Sequence, residues 1–80
     1  MVETRIAPRH RVSKAGIITF GRASVVDCII RDLSLTGAAL EVFSQIGIPD
    51  RFTLVVPVDG LHLHCHVVRR TAFRIGVAFD

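Results

Sequence analysis

The chain has no tryptophan and no tyrosine, and its only aromatic residues are five phenylalanines. A single-strand nucleic-acid binder normally offers aromatic platforms on which bases stack. The phenylalanines fall mostly at core positions of apolar segments, which leaves little for that task. There is no apolar run of about 18 residues, which excludes a membrane-spanning helix. No apolar stretch follows the charged start, so no secretory leader is expected and the cytoplasm is the expected location. Cysteine is scarce: Cys28 and Cys65 are the two present, read as buried thiols and not as a disulfide. Eighty residues, half of them hydrophobic, allow one small core and not two. No connection is long enough to roof a catalytic pocket, and neither Ser34 nor Cys28 has a base that can be placed beside it. No catalytic residue is therefore expected.

What the chain does have is an uneven distribution of charge. Its net charge is +3. Residues 1–14 contain Arg5, Arg9, Arg11 and Lys14 against Glu3 alone, while the rest of the chain balances six arginines with six acids. The whole excess belongs to the first stretch. A basic arm on a neutral body implies an anionic partner met by the arm, and a solvated tail that only aids solubility is the plainer reading.

The pattern along the chain is that of short β segments. Pro8 keeps Ala7 out of the helical region, so residues 1–13 read as an irregular, flexible arm and residues 14–80 as the body of a single domain. Ile17, Ile18 and Phe20 mark a first strand and residues 25–30 a second, rich in β-branched side chains. Residues 32–36 interrupt, and residues 37–43 form a third strand. A loop at 45–50 leads to a fourth strand at 52–56, and Pro57-Val-Asp-Gly60 is a turn with a strong hairpin signal. Residues 61–70 and 73–79 complete the set. In the fifth, Leu61, Leu63, Cys65 and Val67 alternate with His62, His64 and His66, the period of a strand with one face on a core. Six antiparallel strands with tight turns predict an all-β fold, a small closed barrel.

Two polar clusters carry the functional signal. The first is Arg5-Ile-Ala-Pro-Arg9, followed by His10 and Arg11. Guanidinium groups are always charged and present forked donors that suit phosphate and guanine. The second is Asp32-Leu-Ser34-Leu-Thr-Gly37. A carboxylate can accept from the N1–H and N2–H edge of guanine, Ser34 favours a turn, and Gly37 permits positive φ and close approach. Each cluster alone also fits a basic tail or an ordinary turn. The three histidines of the fifth strand invite a zinc reading, but they span about 13 Å and cannot bind one ion together. An exposed polar strand face accounts for them, and no metal site is expected.

Taken in order, Arg-x-x-x-Arg, a gap of 22 residues and Asp-x-Ser-x-x-Gly on a six-strand β pattern resemble the PilZ domain family. The closing Gly76-Val-Ala-Phe79 segment looks like that family's last strand. The resemblance covers essentially the whole chain. It implies a β-barrel that binds cyclic di-GMP, often as an intercalated dimer, and passes the signal to a downstream protein. It implies Arg5, Arg9, Asp32, Ser34 and Gly37 as ligand residues, with Arg11 a secondary candidate, and an arm that folds over the barrel mouth when ligand arrives. Many members continue into a C-terminal helix, and this chain is expected to lack it. Two other readings remain beside the receptor: a small basic barrel binding RNA or DNA, and a ligand-free interaction module.

Overall fold

A computed structural model describes residues 10–80. Six strands make up most of them: β1 (His10–Phe20), β2 (Ser24–Leu33), β3 (Gly37–Glu41), β4 (Arg51–Val56), β5 (Leu61–Arg70) and β6 (Arg74–Phe79). All neighbouring strands are antiparallel, and the sheet closes in the order β1-β2-β3-β6-β5-β4. Closure removes the free edges that a flat six-stranded sheet would present.

Alternation of apolar and polar residues drives this arrangement. In β4, Phe52, Leu54 and Val56 are buried, whereas Arg51, Thr53 and Val55 are not. The same period in the other strands brings Ile18, Ile30, Leu40, Leu54 and Ile75 together inside the barrel, each with no exposed surface. Each such side chain contributes about 1.5–3 kcal/mol on leaving water, which offsets much of the cost of ordering so short a chain. Ile48 closes one end of the core from the loop between β3 and β4. Arg70 clamps that loop, donating to the Ile48 carbonyl at 3.1 Å, the Asp50 carboxylate at 2.9 Å and Gln45 Oε1 at 3.2 Å. At the other hairpin, Pro57–Asp59 forms a single 3₁₀ turn ended by Gly60 at φ 65°, a left-handed position that glycine takes without strain.

Several boundaries differ from the sequence-based expectation. β1 begins at His10, so His10, Arg11, Val12 and Ser13 belong to the barrel and not to the arm. The cause is non-local: the far half of β2 supplies partners, His10 pairing with Leu33 and Arg11 with Asp32. By the same pairing Asp32 lies within β2, and the interruption shrinks to residues 34–36. β3 stops at Glu41, and Phe43 is 96% exposed. Phe73, in the turn before β6, is 62% exposed. Phe20, Phe52 and Phe79 do face the core, but these two do not, because each lies just beyond the end of a strand pairing. β5 has the predicted limits.

Candidate functional site

The position of Asp32 follows from a single extra residue. In β2, Ile30 pairs with Leu40 and Asp32 pairs with Ala39, so Arg31 has no counterpart on β3. Strict alternation from Cys28 and Ile30, both buried, would point residue 32 into the core. The bulge at Arg31 shifts the register by one and puts Asp32 on the outer face beside Ala39. The displaced Arg31 is held by Glu41, to which its Nε donates at 2.6 Å, and by Ser13 Oγ at 3.4 Å. That hydrogen bond, together with the charges of Arg31 and Arg74, holds the Glu41 carboxyl below its ordinary range.

Ser34 builds the turn that follows. Its Oγ accepts from the backbone N–H of Thr36 and of Gly37, both at 3.2 Å, and donates toward the Gly37 carbonyl at 3.3 Å. The Ser34 N–H bonds the same carbonyl at 2.9 Å, and the Phe79 N–H ties Thr36 to the end of β6 at 2.9 Å. Side-chain oxygen thus replaces main-chain oxygen in closing the hairpin. Gly37 serves a purpose other than the expected positive φ, which it does not adopt. A Cβ at this position would lie 2.3 Å from the Val77 carbonyl oxygen, so only glycine lets β3 approach β6 at this point.

A groove of ≈ 840 Å³ runs from this turn along the outer wall of β3, β6 and β5. The groove lies on the outer wall, outside the buried core. Its floor is made of small outward residues: Gly37 pairs with Ala78, and Ala39 with Gly76. Asp32 and Ser34 stand on one rim, Val68 and Arg69 on the other, with Arg74 nearby. A second bulge makes the far rim. Val67 pairs with Val77 and Arg69 with Gly76, which leaves Val68 as the extra residue. If the same sequence paired without this bulge, Arg69 would stand opposite Ile75 and continue the inward series of Cys65 and Val67.

The two bulges, with a further register shift between Arg11 and Lys14 in β1, align one cross-strand row. Arg11 on β1 pairs with Asp32, Asp32 with Ala39, Ala39 with Gly76, and Gly76 with Arg69. Three strand spacings separate Asp32 from Arg69, roughly 14 Å measured along the wall. Among the described residues, neither of these two side chains has an ion-pair partner. Sequence reading missed Arg69 and the small-residue floor. The available signal was the break in period two at Val67-Val68-Arg69-Arg70, where the alternation of β5 fails.

Of the residues expected at the site, the structure brings Asp32, Ser34 and Gly37 to one end of the groove and sets Arg11 beside Asp32. Arg5 and Arg9, and with them residues 1–9 of the expected arm, lie outside the described residues. His66 and His64 take other roles: His66 Nδ1 and Asp80 Oδ1 are 2.6 Å apart, and His64 Nδ1 lies 3.3 Å from Thr53 Oγ1. Cys28 and Cys65 are free and buried. Burial, with added repulsion from Asp27 and Cys65, pushes the Cys28 thiol up to about 12. Burial likewise takes Cys65 to about 11, against the opposing effect of a backbone hydrogen bond with Leu54. Both thiols therefore stay protonated and behave as small apolar groups.

The model of the family described as PilZ domain matches residues 3–80. No curated protein matches the chain.

Proposed function

The chain belongs to the PilZ domain family, and from that premise we propose that it is a cytoplasmic receptor for cyclic di-GMP, a binding module with no catalytic step. The observation that carries this reading is where β1 enters the barrel. It starts at His10 against Leu33, with Arg11 opposite Asp32. The residues that hold Arg5 and Arg9 are therefore joined to the fold at the Asp32 end of the groove, and each residue of chain adds at most about 3.6 Å of reach. Arg5 and Arg9 supply fixed charge for phosphates and guanine. Asp32 accepts from a guanine edge, and Ser34 and Gly37 hold the turn that presents it. In this reading the arm closes over the nucleotide, taken singly or as an intercalated dimer, and a downstream protein recognises the closed form.

Calorimetric titration of the full chain with cyclic di-GMP tests this. Charge-assisted hydrogen bonds are worth about 1.5–3 kcal/mol each, so Arg9→Ala and Asp32→Ala should each weaken binding tenfold to a hundredfold or more. Absence of binding by the unaltered chain at high micromolar nucleotide would sink the proposal.

One observation favours a second reading, a basic barrel for single-stranded nucleic acid. Phe43 and Phe73 are exposed, and the Val42 N–H bonds the Phe73 carbonyl at 2.8 Å, so the two turns adjoin. Exposed rings near arginines are what base stacking uses. Steeply salt-dependent binding of an oligonucleotide, unchanged by Asp32→Ala, would favour this reading over the first.

A further inference from the structure

Among the described residues, Arg69 stands on the groove rim opposite Gly76 with no carboxylate within ion-pair distance. Arg74 sits opposite Glu41 across β3 and β6 and acts on its carboxyl, and Arg70 is committed to the loop at the barrel end. Arg69 has no ion-pair partner among the described residues, yet a bulge turns it out of the core series and onto the groove rim. Across the groove, on the same row, stands Asp32. Between them the floor is Ala39 and Gly76, one methyl group and none, so a flat ring can lie against the backbone there. A cation and an anion at opposite ends of a flat bed match a ligand with hydrogen-bond donors at one end and negative charge at the other.

We propose that this row is the bed of the ligand site, with Arg69 binding a phosphate of the nucleotide from the rim opposite Asp32 and Gly76 keeping the floor open for a purine ring. The proposal rests on the cyclic di-GMP reading and adds to it a cation that neither sequence cluster contains. Gly76 is open for structural as well as functional substitution: a Cβ there would lie 3.7 Å from Arg69 Cβ and 3.8 Å from Val68 Cγ2, ordinary contacts. A β-branched residue at an outward strand position is also compatible with the fold.

The test is calorimetric titration of the full chain with cyclic di-GMP, alongside thermal unfolding without ligand, for the unaltered protein, Arg69→Ala and Gly76→Val. Both variants should bind about tenfold or more weakly, a loss of one charge-assisted contact in the first. Both should unfold at an unchanged temperature, since Arg69 supports nothing else among the described residues. If the unaltered chain binds and either variant binds equally well, the bed is wrong and the receptor reading stands. If the unaltered chain does not bind, both fall together.

Discussion

Two grooves of the described barrel treat their acids in opposite ways. One lies at a barrel end, ≈ 680 Å³, lined by the turn between β1 and β2, by Arg51, His64 and Asp80. There the acid is already met: Asp80 takes Arg51 Nη1 at 3.4 Å on one oxygen and His66 Nδ1 at 2.6 Å on the other, while Arg22 has no ion-pair partner among the described residues. The other groove, on the wall of β3, β6 and β5, keeps its acid and its arginine on separate rims, about three strands apart. A groove whose acid is already paired gains little from a ligand's donors, because the ligand must displace partners already in place. A groove whose charges face open space gains the full contact. Size does not separate the two, and neither does polarity. The pairing of the acid does: Asp80 is paired and Asp32, among the described residues, is not.

The largest effect expected on this contrast comes from the framework of the wall groove. Gly37→Ala drives a methyl group into the Val77 carbonyl, 2.3 Å away, and must push β3 off β6. Overpacking of this kind costs about 1–3 kcal/mol, and a backbone obstacle places it at the upper end. Chemical denaturation should show the loss, and near-normal stability in Gly37→Ala would mean that the two strands can separate without cost.

A smaller effect, absent at neutral pH, tests whether the barrel-end groove reaches the core. Cys65 borders that groove but is only 1% exposed. Its thiol and that of Cys28 ionise at about 11 and about 12 in the fold, against an ordinary value of 9.0. The folded state prefers the protonated form, so this contribution to stability is complete below pH 9 and declines as pH rises toward 11–12. Denaturation midpoints measured across alkaline pH should fall in that window. A thiol reagent should leave the native protein unlabelled at neutral pH and label two sites after unfolding. Rapid labelling of the native form would show that the groove opens inward.

The smallest effect belongs to the barrel-end charges themselves. Asp80→Ala removes a surface ion pair and a histidine contact, an alteration worth about 0–1 kcal/mol. Cyclic di-GMP affinity should not move. A tenfold change would shift the binding site from the wall to the end of the barrel.

Much of the fold was legible because apolar alternation is a local property. Leu61, Leu63 and Cys65 announce β5, and Asp59-Gly60 announces the turn before it. What the pattern could not show is pairing. Nothing near His10 or Arg11 in the sequence predicts that Leu33 and Asp32 will extend β1 toward the amino terminus by four residues. The two motif clusters were visible as polar interruptions, so Asp32, Ser34 and Gly37 could be picked out. Their division of labour could not. Ser34 and Gly37 are explained by the hairpin and by the approach of β6, whereas Asp32 is left facing the groove. Arg69 stayed hidden because a bulge reverses the face that a period of two assigns to it.

The bulges at Arg31 and Val68 have an evolutionary consequence. Each decides by residue count, not by residue type, which side chains face out. Deletion of Val68 itself would leave Val67 opposite Val77, Arg69 opposite Gly76 and Arg70 opposite Ile75 in a regular ladder, so both arginines would keep their faces and only the extra rim residue would go. Point substitution can adjust this groove gradually, but a one-residue insertion or deletion elsewhere in either strand exchanges wall for core. The extra residue at 68 is therefore the one place in β5 where a change of length leaves the wall face of the groove in register.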